Sequence, residues 1–448
     1  MKPEALESLE KAFDQLAEAL WHQTQAGEQF ILKLNSEQSQ FIRFNRAKVR
    51  QTGSVADGWL NLTLMQEQRS SYREFPFIGN WEADWRQAQT ALTELRQEVP
   101  QLPVDPYLGL PSGEGTSREV YSGQLLAPDT VVSTLLPTVA DLDFAGLYAA
   151  GTVIRAYADS FGQKHWFATA TYTLDYSLFT PEGQAVKGIL AGSHWDTETY
   201  TAKINDSKAQ LKLLSQPPKS LPRGQYQTYL APAAVAELVG MLSWGGVSEA
   251  ALQQGGSALG LLRRGEKQLS PVFTLKENFQ RGLVPRFSDW GEMAPIELPI
   301  IEQGKLVNTL VNTRTAKEYQ QVANGADASE SLRSPELNPG KLAPEQILSS
   351  LGTGLYVSNL HYLNWSDRPT GRITGMTRYA CFWVENGEIV APIENLRFDD
   401  SLYRFWGDNL VDLTNVQEFI PEVGTYGSRH LGGTWTPGAL IADFTYTL

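Results

Sequence analysis

The donor-bearing residues with the most suggestive spacing are His194, Asp196 and Glu198, in the run His194-Trp195-Asp196-Thr197-Glu198. On a strand, alternate side chains share a face, so one imidazole and two carboxylates would point the same way. Those donor types suit a hard or borderline divalent cation. The run equally fits the solvated face of an exposed strand, with Trp195 turned to the core. Same-face neighbours stand ~7 Å apart along a strand, a wide spacing for three ligands of one ion. The solvated strand is the simpler reading and a metal site the alternative.

Other searches for chemistry return little. The single cysteine, Cys381, lies in the apolar strand pattern Tyr379-Ala380-Cys381-Phe382-Trp383-Val384 and reads as an inert buried thiol. One cysteine excludes an internal disulfide framework and a zinc site built on paired thiolates. Gly240-Met241-Leu242-Ser243-Trp244-Gly245 lacks the preceding strand of a nucleophile elbow, and Gly352-Thr353-Gly354 lacks the lysine of a phosphate loop. A net charge of −13 argues against general nucleic-acid binding, which needs a basic face. No apolar run reaches the ~18 residues a membrane span requires, and the pattern after Met1 is acidic and amphipathic, so no export signal is expected. A cytoplasmic protein without membrane or nucleic-acid partners is expected. The 12 tryptophans could line a peptide groove, though core packing is the commoner use.

At 448 residues the chain is too long for one core. Leu6, Leu9, Phe13, Leu16 and Leu20 recur at helical spacing and predict a first helix. Strands are predicted at 30–34, 40–44 and 59–64, a helix at 82–97, and a proline-marked connector through Pro103, Pro106 and Pro111. A further helix is predicted over 144–160, then strands over 165–179 and 185–197. The run Gln216-Pro217-Pro218-Lys219-Ser220-Leu221-Pro222 interrupts both periodicities and marks a boundary. After it come a helix over 233–244 and a segment rich in turn signals. The expected class is α+β: an N-terminal α/β domain, 1–215, with a curved sheet and helices on one side, and a mainly β domain, 225–448.

Several phrases resemble the TldD/PmbA peptidase family in order along the chain. Phe44-Asn45-Arg46-Ala47-Lys48-Val49 is similar to the family's opening hairpin, and Leu102-Pro103-Val104-Asp105-Pro106-Tyr107 to a connector of its PmbA-like branch. Arg286-Phe287-Ser288-Asp289-Trp290-Gly291-Glu292, Ile301-Glu302-Gln303-Gly304, Gly354-Leu355-Tyr356-Val357 and Val384-Glu385-Asn386-Gly387 continue the series. The resemblance places the family's His-Glu-x-x-x-His on Ala236-Glu237-Leu238-Val239-Gly240-Met241, and its Gly-Val-Cys-Gly on Gly424-Thr425-Tyr426-Gly427. In the catalytic branch these motifs hold a zinc ion for peptide hydrolysis. Here only Glu237 survives; Ala236, Met241 and Tyr426 replace the ligands. Glu237 itself fits a helix start, where the macrodipole favours a carboxylate, and Met241 and Ala236 fit packing roles.

The resemblance thus implies a metal-free subunit of the PmbA/TldE kind. Its partner would be a TldD-like catalytic paralogue carrying the zinc, and its substrate an unfolded or modified peptide bound along a sheet edge. Two alternatives stay open: an active metallopeptidase with a rearranged site at His194, Asp196 and Glu198, and a standalone peptide-binding or scaffold protein.

Overall fold

The computed structural model describes residues 1, 3–111 and 115–447. The N-terminal part runs α1 (Pro3–Trp21), β1 (Glu28–Asn45), β2 (Lys48–Gln66), β3 (Arg69–Pro76), α2 (Trp81–Glu98) and β4 (Thr116–Tyr121). It continues with α3 (Val131–Val139), β5 (Asp143–Asp159), β6 (Lys164–Phe179), β7 (Ala185–Gly192) and α4 (Thr197–Leu214). Its strands order as β3-β2-β1-β5-β6-β4, with β7 also on β6. Pairing is antiparallel except for β4 beside β6. This part is therefore an antiparallel sheet with helices, not an α/β unit of parallel crossovers.

Period-2 alternation gives the sheet two different faces. Leu32, Leu34, Leu60, Ile154 and Trp166 pack beneath Phe13, Leu16, Leu20, Ala88 and Leu95 of α1 and α2. Further along the same face, Tyr148, Tyr172 and Leu174 pack with Leu135 of α3 and Tyr200 of α4. On the other face, Ile31, Tyr157 and Phe167 meet Phe287 from the C-terminal half. The sheet is thus the partition between four helices and the rest of the protein.

One predicted element is corrected. The helix predicted over 144–160 is instead the strand β5, Asp143–Asp159. This strand lies between β1 and β6 with nearly every residue shielded, so the polar alternation that announces a strand is missing. The predicted strands at 30–34 and 40–44 are two ends of the single 18-residue β1. The strand predicted to reach 197 stops at Gly192.

The C-terminal half begins with β8 (Gly224–Leu230) and α5 (Pro232–Ser243), followed by β9 (Leu275–Asn278), β10 (Glu297–Glu302), β11 (Lys305–Leu306) and β12 (Pro335–Leu337). Next come β13 (Gly354–Val357), β14 (Asn359–Asp367), β15 (Arg372–Arg378), β16 (Phe382–Glu385) and β17 (Glu388–Pro392). The chain closes with β18 (Arg397–Ser401), β19 (Leu410–Leu413), β20 (Glu418–Pro421), β21 (Gly433–Thr436) and β22 (Ala439–Tyr446). Among the described residues these strands make two sheets: β11-β10-β9-β12-β21-β20, and β14-β15-β18-β22-β8-β13-β16-β17 with β19 on β22. A shared core binds them, with Leu238, Val239 and Leu242 of α5 packed among Ile300, Leu337, Val357 and Phe398. The whole is a mixed α+β protein dominated by three sheets. No helix among the described residues is long and apolar enough to cross a membrane.

Candidate functional site

The helix α5 follows β8 after one residue. Pro232 at its first position supplies the helical φ, and the Ala231 carbonyl accepts from the Ala234 and Val235 N–H groups. Seven of its residues are buried, including Ala236 and Met241, while Glu237 and Gly240 face outward. Glu237 lies in the second turn, past the reach of the N-terminal dipole, so the helix-start explanation for it fails. Its side chain reaches solvent yet is crowded by the surrounding protein. Burial, and then the neighbouring Glu422, raise its pKa.

Glu422 leads to the loop joining β20 to β21. The Glu422 N–H donates to Gly432 O at 3.1 Å and the His430 N–H to Gly424 O at 2.9 Å, closing the loop at its base. Tyr426 stands at its tip, 98 % exposed. Near the base, Arg429 turns inward and is only 3 % exposed. Its Nη1 donates to Gly151 O at 3.3 Å, and its Nη2 to Thr171 O at 3.1 Å and Thr171 Oγ1 at 2.8 Å. The Arg429 N–H reaches Glu37 Oε1 at 3.4 Å. One arginine thereby fastens a C-terminal loop to three strands of the N-terminal sheet, β1, β5 and β6. Burial pulls its pKa down to about 10, opposed first by Glu37, so it stays charged at neutral pH.

Between the sheet and the C-terminal half lies an open cavity of about 390 Å³, lined among others by Lys33, Arg155, Ser243, Asp289, Asp327 and Glu422. The family-like phrase Arg286–Glu292 forms part of its wall. Ser288 Oγ caps the turn by accepting from the Trp290 and Glu292 N–H groups. Arg333 holds the preceding stretch, donating to the carbonyls of Pro285, Arg286, Phe287 and Gly325. Glu277, 1 % exposed, accepts from the Arg333 and Ser334 N–H groups, and burial raises its pKa. Lys33 Nζ reaches Asp289 Oδ1 across the cleft at 2.7 Å, and His165 stacks on Phe287 at 5.5 Å.

The three positions that the resemblance assigns to zinc ligands lack a set of donors that could hold the ion together. Ala236 has no donor atom, and Met241 is packed in the C-terminal core. Tyr426 points to solvent, so its hydroxyl cannot meet either of them. A thioether is in any case a poor ligand for zinc. These residues do not fit the ion.

The other donor run is differently built from the strand predicted for it. Asp196 is the N-cap of α4, accepting from the Glu198 and Thr199 N–H groups at 3.1 and 3.2 Å. Glu198 belongs to the first helical turn, and His194 Nδ1 bonds Ser193 Oγ at 2.9 Å. Period-2 alternation does not apply, and the shared face assumed for His194, Asp196 and Glu198 is absent. Among the described residues no group of three or more His, Cys, Asp or Glu side chains is disposed to hold a metal. Cys381 is buried, donates weakly to Arg378 O at 3.2 Å, and has its pKa raised by burial. Lys33, Arg155 and Arg429 carry no local motif; sheet register brings Lys33 and Arg155 to one face, and the β20–β21 loop delivers Arg429.

Comparisons with known proteins agree with this architecture. Residues 223–447 match the model of the PmbA/TldA metallopeptidase C-terminal domain. TldE from Thermococcus kodakarensis superposes with a TM-score of 0.79 at 14% identity, covering 98% of this chain and 100% of that one. A candidate modulator of a DNA gyrase from Thermotoga maritima gives 0.76 at 15% identity, covering 98% and 100%. A candidate DNA gyrase modulator from Bacteroides thetaiotaomicron gives 0.73 at 16%, covering 100% and 99%. None of the curated proteins compared with the chain matches it in sequence. The family match spans half of the chain, and the protein belongs to the PmbA/TldD metallopeptidase family.

Proposed function

We propose that this protein is the non-catalytic subunit of a TldD/TldE-type peptidase complex, with residues 1–215 and 225–448 as its two domains. The observation that carries the proposal is the state of α5. It keeps an outward-facing glutamate beside Glu422, while Ala236 and Met241, at the positions the resemblance gives to ligands, are turned into packing. Zinc catalysis needs three protein ligands and an open position for water. This chain offers none of the three at those positions, so the zinc and the hydrolytic chemistry belong to a catalytic paralogue. The similarity of fold to TldE supports that assignment.

In this reading the chain's contribution is shape. The cleft between sheet and C-terminal half is closed at one side by the Arg429-anchored loop and crossed by the Lys33–Asp289 pair. Such a trough admits an extended, unfolded peptide and excludes a folded domain. Glu237 serves no proton transfer without a metal-bound water beside it. Its raised pKa follows from crowding and from Glu422. Localisation to the cytoplasm is part of the same proposal.

Coexpression with a paralogue that retains His-Glu-x-x-x-His tests the assignment. A stable complex with peptidase activity that neither chain has alone is expected. Separate elution at micromolar concentration, with the paralogue fully active by itself, would leave a standalone peptide-binding protein as the better account.

A further inference from the structure

Arg155 faces the cavity without an ion-pair partner among the described residues. It sits on the cleft side of β5, in register with Asn35 of β1 and Phe167 of β6, and lines the cavity. Protein surrounds its side chain except toward that cavity. Of its five N–H donors, Nη1 donates to Ile154 O at 2.9 Å. Among the described residues no carboxylate lies within ion-pair distance of it. The carboxylate that acts on it from further off, Glu37, instead accepts from Ser39 Oγ and the Arg429 N–H.

The other cations around the cavity are committed. Lys33 is paired with Asp289, and Arg333 spends its donors on four carbonyls. Arg155 alone among these presents unused donors to the cavity. A guanidinium is a planar fork whose geometry matches a carboxylate in a bidentate pair. Holding it there unpaired costs desolvation free energy that a bound anion would offset.

We propose that Arg155 anchors a carboxylate of the bound peptide, either the C-terminal α-carboxylate or an Asp or Glu side chain. The inference rests on the peptide-binding reading and makes it more specific: the cleft selects acidic or C-terminal segments and sets the register of the chain relative to the partner's metal. A charge-assisted pair in such a setting is worth about tenfold or more in affinity.

Three N-acetylated pentapeptides separate the possibilities: pentaalanine as the free acid, the same peptide as its C-terminal amide, and the amide with glutamate at the central position. Each is titrated calorimetrically into the full-length chain, alone and in its complex with the catalytic paralogue. The wild type should bind the free acid, the glutamate peptide or both about tenfold more tightly than the alanine amide. Which of the two is favoured identifies the source of the carboxylate. Arg155→Met should abolish the preference while leaving the amide's affinity unchanged, and Arg155→Lys should keep part of it. Equal binding of all three peptides by the wild type overturns the role of Arg155 and leaves the peptide cleft standing. A preference that survives in Arg155→Met overturns it as well. Failure of every peptide to bind overturns the peptide-binding reading and this inference with it. Should Arg155→Met not fold, the wild-type comparison and Arg155→Lys decide the matter.

Discussion

Replacing Arg429 with alanine tests how firmly the β20–β21 loop is tied to the N-terminal sheet. The substitution deletes three hydrogen bonds from a side chain that is 3 % exposed. Gly151 O and Thr171 O, both part-buried, then lose the donor aimed at them, at up to about 1–3 kcal/mol for each acceptor left without a partner. Glu37, 4 % exposed, also loses a nearby positive charge. Against this, the variant no longer bears the desolvation of the guanidinium, which is what lowers its pKa to about 10. Breaking rather than replacing a buried charged network normally leaves a net loss, here about 3 kcal/mol. A chain of 448 residues melting as one unit has an unfolding entropy of about 0.9 kcal/mol/K, so Tm should fall by about 3 °C. The loop should respond more than the whole. Chymotryptic cleavage after the exposed Tyr426 should accelerate several-fold, because the loop's inward anchor is gone. A Tm within about 1 °C of wild type together with an unchanged cleavage rate would refute the anchoring role.

Two other substitutions bear on the cleft. Glu237→Gln should leave the activity of the assembled complex within a few-fold of wild type, whereas losing a positioned acid–base group costs roughly 10²–10⁴-fold; steady-state peptidase assays decide between these. The same variant has a pH signature. Because the folded pKa of Glu237 is raised above its unfolded value, the wild type loses stability as pH rises from the unfolded value through the folded one. The variant's urea midpoint should therefore gain on wild type at about pH 8 and match it at about pH 4. Lys33→Ala should cost less than about 1 kcal/mol, since the Lys33 and Asp289 side chains are 30% and 43% exposed, and high salt should shrink the difference in urea unfolding.

Legibility in the sequence followed the physics of exposure. Helix α1 was plain because one face of it is solvated, so Leu6, Phe13, Leu16 and Leu20 stand out at their period. The strand β5 was not, because Ala149, Ala150, Val153, Ile154, Ala156 and Ala158 are shielded on both faces and leave no alternation to read. Asp196 reads as a strand residue by alternation, whereas it is the N-cap of α4; an aspartate before Thr197-Glu198 suits that role because its carboxylate accepts from the first free N–H groups of the helix. The resemblance points to the segment around Glu237 but carries nothing about its surroundings. Glu422, Arg429, Lys33 and Arg155 come from positions up to several hundred residues apart, and only sheet register and the β20–β21 loop unite them. The wall formed by Arg286–Glu292 was visible as a phrase, while its anchor Arg333 carried no local signal.

The central claim is that this chain supplies fold and cleft but not the metal or the hydrolytic step. Its most direct test is elemental analysis of the isolated, gel-filtered protein, coupled to a peptide-hydrolysis assay on the same sample with added zinc. The account predicts no stoichiometric zinc and no hydrolysis, with activity appearing only when a paralogue bearing the intact motif is present. One zinc per chain together with peptide hydrolysis by the isolated protein would contradict it, and loss of that zinc in His194→Ala would locate a metal site at His194, Asp196 and Glu198.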